Sequence, residues 1–228
     1  MRERPAPPLR VASRGAPFTV DVVVVTPQER QFAVLCVHGG RGRDLWELPW
    51  GMPRAGEPLD AVARRVARSP GIGDPTWMEQ VAAFTDARHP SGAGLSICFL
   101  AVEPASTNQQ IKAVADWVSS GNLAALGGRQ RVMTDAALMA LRARMDASPI
   151  AFRSLPPLFT LGELQHVYEL LLGRRLHKAS FRRALHAAWL VEPTDEWRSE
   201  GRGRPAQLFR YAPRKRRGHR RSVRFDLL

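Results

Sequence analysis

Residues 160–188 read TLGELQHVYELLLGRRLHKASFRRALHAA. Thr160 is a strong helix N-cap, and Glu163 completes a capping box with it. Leu161, Leu164, Val167, Tyr168, Leu171 and Leu172 then recur at helical spacing and give one apolar stripe. Gly173 fits the C-terminal stop. A second helix is predicted from about Lys178 to Ala188. Phe181, Ala184 and Leu185 form its apolar face, while Lys178, Ser180, Arg182, Arg183 and His186 occupy the other. Two helices joined by a tight turn, the second with a basic face, make a helix-turn-helix.

The residues that follow extend the pattern. Trp189 to Glu192 (WLVE) and Gln207 to Tyr211 (QLFRY) read as short strands, with PTDEWRSEGRGRPA between them. A hairpin loop rich in glycine and arginine after a basic helix is the pattern of a wing. Arg202 and Arg204 suit contact with phosphates or entry into a minor groove. Charge points the same way. The chain carries a formal +13, and from Ala151 onward 17 Lys and Arg stand against seven Asp and Glu. Concentrated positive charge suits a polyanion, because neutralising phosphates releases counterions. A solvated basic face is the bland reading of such a helix; the order helix, turn, basic helix, Gly-Arg hairpin favours double-stranded DNA. Arg182 or Arg183 suits bidentate readout of guanine. Lys178 lies on the same face, and Ser180, near the helix start, suits a phosphate. The tail RKRRGHRRSVR, residues 214–224, adds non-specific affinity.

The first two-thirds of the chain has a different texture. Phe18 to Thr26 (FTVDVVVVT) and Gln31 to His38 read as buried strands, and Trp46 to Trp50 (WELPW) as a short extended piece. Glu57 to Arg68 reads as an amphipathic helix with arginines on its outer face. Strands are predicted at Met78 to Asp86 and Leu95 to Val102, helices at Gln109 to Val118 and Val132 to Met145. Ser148 to Pro157, with three prolines, reads as a linker. The expected organisation is a disordered arm over 1–16, an α/β (α+β) sandwich over 17–150, a small winged helix-turn-helix over 151–212 and a basic tail over 213–228.

Several classes are excluded. No apolar run approaches the roughly 20 residues needed to span a bilayer. The arginine- and proline-rich start lacks the apolar stretch of a signal peptide, so a cytoplasmic, nucleoid-associated protein with no membrane partner is expected. Cys36 and Cys98 sit inside apolar runs and read as free buried thiols. No close spacing of Cys and His suggests zinc.

The segment GMPRAGEPLDAVARRVARSPGI, residues 51–72, resembles the Nudix box. Gly51, Glu57 and Arg65 fall at signature positions, and WELP resembles the residues that commonly precede the box. Where the signature continues Arg-Glu-x-x-Glu-Glu, this chain has Arg65, Val66, Ala67, Arg68, Ser69 and Pro70. Nudix chemistry uses clustered carboxylates on this helix to hold magnesium or manganese. Glu57 and Asp60 are the only acids here. The expectation is therefore no catalytic residues, no metal and no cofactor. Arg54, Arg64, Arg65 or Arg68 could attract an anionic ligand without metal, or Arg65 could pair internally with Glu57.

Taken whole, residues 18–211 resemble the Nudix-related transcriptional regulators of the NrtR type. The closest likeness is at SPIAFRSLPPLFTLGELQHVYELLLGRRLHKASFRRAL, EPT and GRGRPAQLFRY. RHPSGAG, residues 88–94, resembles the family's loop after its third strand, with His89 where an acid often stands. The resemblance implies a Nudix-like sandwich followed by a winged helix, and a homodimer on a palindromic operator. It also implies an effector related to ADP-ribose or NAD metabolism, or a sugar, whose binding weakens DNA binding. Trp46, Arg54 and Arg88 are the ligand-binding candidates it implies, and Arg65 of the box is the fourth candidate. The function expected is a ligand-responsive regulator, read as a repressor; the alternative is a hydrolase of ADP-ribose or another nucleoside diphosphate derivative.

Overall fold

The computed structural model describes residues 18–39, 46–105, 111–145, 148–199 and 204–212. The N-terminal arm, Arg202 and the basic tail lie outside the described residues.

β1 (Phe18–Pro27) is the central strand. It pairs antiparallel with β2 (Phe32–His38) on one side and parallel with β6 (Leu95–Val102) on the other. β5 (Trp77–Phe84) closes that side, with a register shift between Gln80 and Ala82. Two short strands, β3 (Trp46–Glu47) and β4 (Trp50–Gly51), pair with β2 and β1. β1 is buried along its length because both faces are covered, which explains why Thr19 to Thr26 are β-branched at every position but Asp21. Val20, Val22 and Val24 point into a cluster with Val62, Ala63, Val66 and Ala67 of helix α1 (Leu59–Arg68). Val23 and Val25 point the other way, into a cluster with Met133, Ala137 and Leu141 of helix α2 (Gly128–Ala143).

Two expectations over 109–145 need correction. Part of the helix predicted from Gln109 to Val118 is strand β7 (Ala115–Ser119), antiparallel to β2. Ile111, Val114, Ala115 and Val118 imitate helical spacing, but Val114 is 55% exposed, so no common apolar face is buried. The open edge of β2 offers hydrogen bonds that outweigh local preference. α2 also begins four residues before its predicted start. The glycine pair Gly127–Gly128 hides that start in the sequence, and it follows a 3-10 helix at Ser120–Ala125.

The expected linker is partly folded. Ile150–Arg153 forms helix α3 directly after Pro149, and its Ile150, Ala151 and Phe152 are buried. Proline suits a helix entrance, where its missing N–H is not needed. Strand β8 (Leu158–Phe159), unexpected from sequence, pairs with β10 (Ala206–Tyr211). Helices α4 (Leu161–Leu172) and α5 (Lys178–Ala188) stand where predicted. Thr160 and Glu163 form both halves of the capping box, and Gly173 caps α4 at φ 68°. Strand β9 (Val191–Arg198) runs further than expected, straight through Pro193. The three-stranded sheet has order β8-β10-β9, so β9 is an edge where a missing N–H is tolerated. Trp189 is not in the strand; it caps α5 at φ 52°. One apolar core runs on from Met133 and Leu141 through Ile150 and Phe152 to Leu164, Phe181 and Phe209. No helix among the described residues is long and apolar enough to cross a membrane.

Candidate ligand cleft and nucleic-acid interface

A cleft of about 860 Å³ opens where the loop after β5, the residues following β7 and the start of α2 meet. Its volume lies in the range of small-molecule sites. Trp46 forms one wall; its indole stacks on His38 at 4.2 Å between ring centroids. Arg88 and His89 contribute from the loop. Ala124, Ala125, Gly127 and Gly128 form a wall of small residues that leaves backbone accessible.

Behind this cleft lies a buried polar network. Asp21, on the α2 side of β1, is fully buried. Its Oδ1 accepts from His89 Nε2 at 2.8 Å and from Gln130 Nε2 at 3.1 Å, and its Oδ2 from Thr19 Oγ1 at 2.7 Å. The Ser91 backbone N–H donates to His89 Nδ1 at 3.1 Å, so the ring carries its proton on Nε2, facing Asp21. Gln130 also accepts from the Leu48 backbone N–H at 3.0 Å, tying α2 to the stretch between β3 and β4.

Arg129, 3% exposed, joins the same network through two hydroxyls. Its NH1 donates to Ser96 Oγ at 3.2 Å; Ser96 and Thr19 share a 2.8 Å hydrogen bond, and Thr19 donates to Asp21. Arg129 also donates to four carbonyls, those of Thr85, Asp86, Ala87 and Ala93, at 2.7–3.0 Å. One guanidinium thus fixes both ends of the loop that carries Arg88 and His89.

The box folds against β1 but does not form this cleft. Arg65 Nε and NH2 bind the two oxygens of Glu57 at 2.8 and 2.7 Å, and NH2 also reaches Met52 O at 3.0 Å. The Arg54 backbone N–H donates to Glu57 at 2.9 Å. The Arg65 hydrogen bonds, helped by that N–H, hold the Glu57 carboxyl down at about 2. Gly51 is required here, since a Cβ would stand 2.9 Å from Val66 Cγ2. Arg68 pairs with Asp74 at 3.1 Å. Of the four ligand candidates, the cleft therefore gathers Trp46 and Arg88, while Arg54 and Arg65 are not among its lining residues. Among the described residues, no group of three or more His, Cys, Asp and Glu is placed to share a metal ion. Both thiols are free and buried; burial pushes Cys36 up to about 12 and raises Cys98 as well.

The second candidate surface is α5. Phe181 and Leu185 anchor it in the core. Lys178, Arg182 and Arg183 are exposed and form no ion pair with a described residue. Ser180, half-buried, lies 3.4 Å from His177 Nδ1. Arg204 is exposed where the chain enters β10. The wing is fastened to the helical part through Glu163. One of its oxygens accepts from Thr160 N–H at 2.6 Å, and the other from Arg198 NH1 of β9 at 2.7 Å.

Sequence reasoning missed Arg129, Gln130 and the wall at Ala124–Gly128. A buried arginine has no local mark that separates it from a surface one. Asp21 did carry a signal: an acid inside VDVVVV, in a strand covered on both faces, requires partners.

Residues 151–211 match a family model described as the NrtR DNA-binding winged helix domain. Over 208 residues the chain is 31% identical to the "ADPR responsive transcriptional repressor NtrR" of Acinetobacter baylyi, covering 86% of this chain and 82% of that one. It is similar to the crystal structure of Shewanella oneidensis NrtR complexed with a 27mer DNA, with TM-score 0.71 and 29% identity over 86% of this chain and 94% of that one. A MutT/nudix family protein from Enterococcus faecalis shares the fold, with TM-score 0.65 and 19% identity over 88% and 89% of the two chains.

Proposed function

Since the chain belongs to the NrtR family of Nudix-related transcriptional regulators, we propose that it is a repressor whose α5 reads a palindromic DNA operator and whose cleft binds ADP-ribose or a close relative. In this reading residues 17–150 sense the effector, residues 151–212 bind DNA, and the protein works in the cytoplasm as a homodimer. The observation that carries it is the exposed face of α5, where Lys178, Arg182 and Arg183 have no acidic partner among the described residues. Arg182 and Arg183 read base edges; Lys178, Ser180, Arg202 and Arg204 hold phosphates.

The cleft supports the sensing half. Trp46 offers a ring face for a base, Arg88 a cation for a pyrophosphate, and the small-residue wall leaves backbone groups for ribose hydroxyls. The box supports binding without cleavage. Its one glutamate at a signature position, Glu57, is held by Arg65, and Val66, Ala67 and Ser69 bring no carboxylate.

A mobility-shift titration with DNA from upstream of the gene tests this reading. A sequence-selective shift is expected, lost with Arg182→Ala/Arg183→Ala and reversed by ADP-ribose. No selective shift at low salt overturns the regulator. Magnesium-dependent release of AMP from ADP-ribose overturns the inactive box and returns the hydrolase.

A further inference from the structure

A second cleft opens between the sandwich and the winged helix. It holds about 530 Å³, within the range of small-molecule sites. The turn between β1 and β2, the end of α2 and the end of α4 form its sides. No described residue lines both this cleft and the one at Trp46. The turn is fastened in place. The Gln28 N–H donates to the Gln31 carbonyl at 3.0 Å and closes it. The Gln28 carbonyl accepts from His166 Nε2 of α4 at 2.8 Å, and Gln31 Oε1 accepts from the Gly121 N–H at 3.1 Å. Arg30, at the tip of this turn, is thereby carried opposite α4.

The floor is apolar and the rim cationic. Leu138 of α2 and Leu170 of α4 are half-buried there. Arg30, Arg142, Arg174 and Arg175 line the cleft from three places far apart in the chain. Two acids also line it, Glu29 and Glu169. Glu169 is already engaged. Its Oε1 accepts from the Leu176 N–H at 2.9 Å and from Gln165 Nε2 at 3.0 Å, and its Oε2 from Arg175 NH1 at 3.2 Å. Arg30 and Arg142 are exposed and form no ion pair with a described residue. Arginines gather at helix C-termini because of the helix dipole, which accounts for Arg142 and Arg174. It does not account for Arg30, which stands in a turn and repels the others. Like charges focused on one concave surface raise the local concentration of an anion.

We propose that this junction cleft binds a small polyanion, a metabolite with two or more phosphate or carboxylate groups on a short carbon skeleton. The guanidinium fork matches either group through paired hydrogen bonds. The skeleton lies on Leu138 and Leu170. Arg30 and Arg142 hold the anion from the sandwich, Arg174 and Arg175 from the winged helix, so the occupant bridges the two. The site is separate from the sensing cleft, and a chain indifferent to ADP-ribose would still bind here.

Hydrogen exchange and calorimetry on the full chain test the proposal, with pyrophosphate and citrate as probes at constant ionic strength. Slowed exchange is expected at residues 28–32 and 166–175. Arg30→Ala/Arg142→Ala is expected to weaken probe binding about tenfold or more with unchanged circular dichroism, since both side chains are exposed. The exchange measurement on the parent chain stands even if that variant fails to fold. A response to pyrophosphate alone assigns the site to phosphorylated ligands, and a response to citrate alone to polycarboxylates. Binding of neither probe, or slowing confined to residues 88–94 or 178–188, overturns the site. Operator DNA that slows the same residues, and that loses affinity with Arg30→Ala/Arg142→Ala, also overturns it, by making these arginines contacts to DNA phosphates.

Discussion

Asp21 Oδ1 and His89 Nε2 lie 2.8 Å apart, with neither side chain exposed. This pair joins the central strand to the loop that walls the candidate cleft. Asp21→Asn keeps the shape but replaces one acceptor by a donor, which must then face the Thr19 hydroxyl or the two donors on Oδ1. Breaking a buried, bonded charge costs about 3 kcal/mol or more. Denaturant unfolding of Asp21→Asn is expected to show that loss with an unchanged slope. A midpoint equal to the parent's would show that the network contributes nothing to stability.

Arg129→Lys tests the other end of the network. Lysine keeps the charge but has three donors on one nitrogen, where the guanidinium makes five hydrogen bonds spread over the loop and Ser96. Hydrogen exchange is expected to rise in residues 85–94. Effector affinity is expected to fall about tenfold or more, while DNA affinity in its absence holds. Unchanged exchange in that loop would refute the bracing role.

Glu57 gives a pH signature. Its folded value is lowered to about 2 by Arg65 and the Arg54 N–H, from an ordinary 4.5. A depressed carboxyl contributes stability above its unfolded value and loses it as pH falls through the folded one. The stability gap between the parent and Glu57→Gln is therefore expected to be full above about pH 4.5 and to close towards pH 2. Salt is expected to narrow it, because Arg65 is a third exposed. Thermal melts of both proteins from pH 2 to 7 would reveal a pH-independent gap if the pairing is unimportant.

How far the sequence carried the fold depended on whether local signals agreed with tertiary ones. Thr160, Glu163 and Gly173 speak through their own backbone, so α4 was legible from end to end. β7 was not, because its residues fit a helix locally and only the open edge of β2 decides otherwise. β9 was cut short in the sequence reading at Pro193, whose acceptability depends on the strand being an edge. The cleft was half legible. Trp46, Arg54 and Arg88 come from family resemblance and Arg65 from the box, and the fold leaves Arg54 and Arg65 outside the cleft lining. Arg129 reaches residues some 40 positions away, a distance no local pattern encodes.

Those positions separate the two candidate ligand surfaces. Trp46→Ala and Arg88→Ala are each expected to weaken ADP-ribose binding about tenfold or more, without altering operator affinity in its absence. Arg54→Ala is expected to leave both unchanged, since Arg54 binds Glu57 through its backbone N–H. Calorimetry with ADP-ribose distinguishes the cases. Loss on Arg54→Ala with none on Arg88→Ala would move the binding site to the box.

Glu163 couples the helix cap to the wing, and its two roles can be pulled apart. Arg198→Ala leaves Thr160 and Glu163 capping α4 but removes the bond from β9 to Glu163. Both side chains are about a third exposed, so stability is expected to fall by less than about 1 kcal/mol. Operator affinity is expected to drop about fivefold or more, because ordering a loosened wing against DNA now costs conformational entropy. Glu163→Ala also removes the half of the capping box in which its carboxylate accepts from the Thr160 N–H, while its own N–H stays on Thr160 Oγ1, and is expected to cost up to about 1 kcal/mol more, with a similar loss of DNA affinity. The comparison excludes the simpler idea that Arg198 touches a phosphate directly. In that case Glu163→Ala would spare DNA binding, and only Arg198→Ala would flatten the salt dependence by about one counterion. Equal DNA losses with unequal stability losses are the mark of a wing held in place by a helix cap.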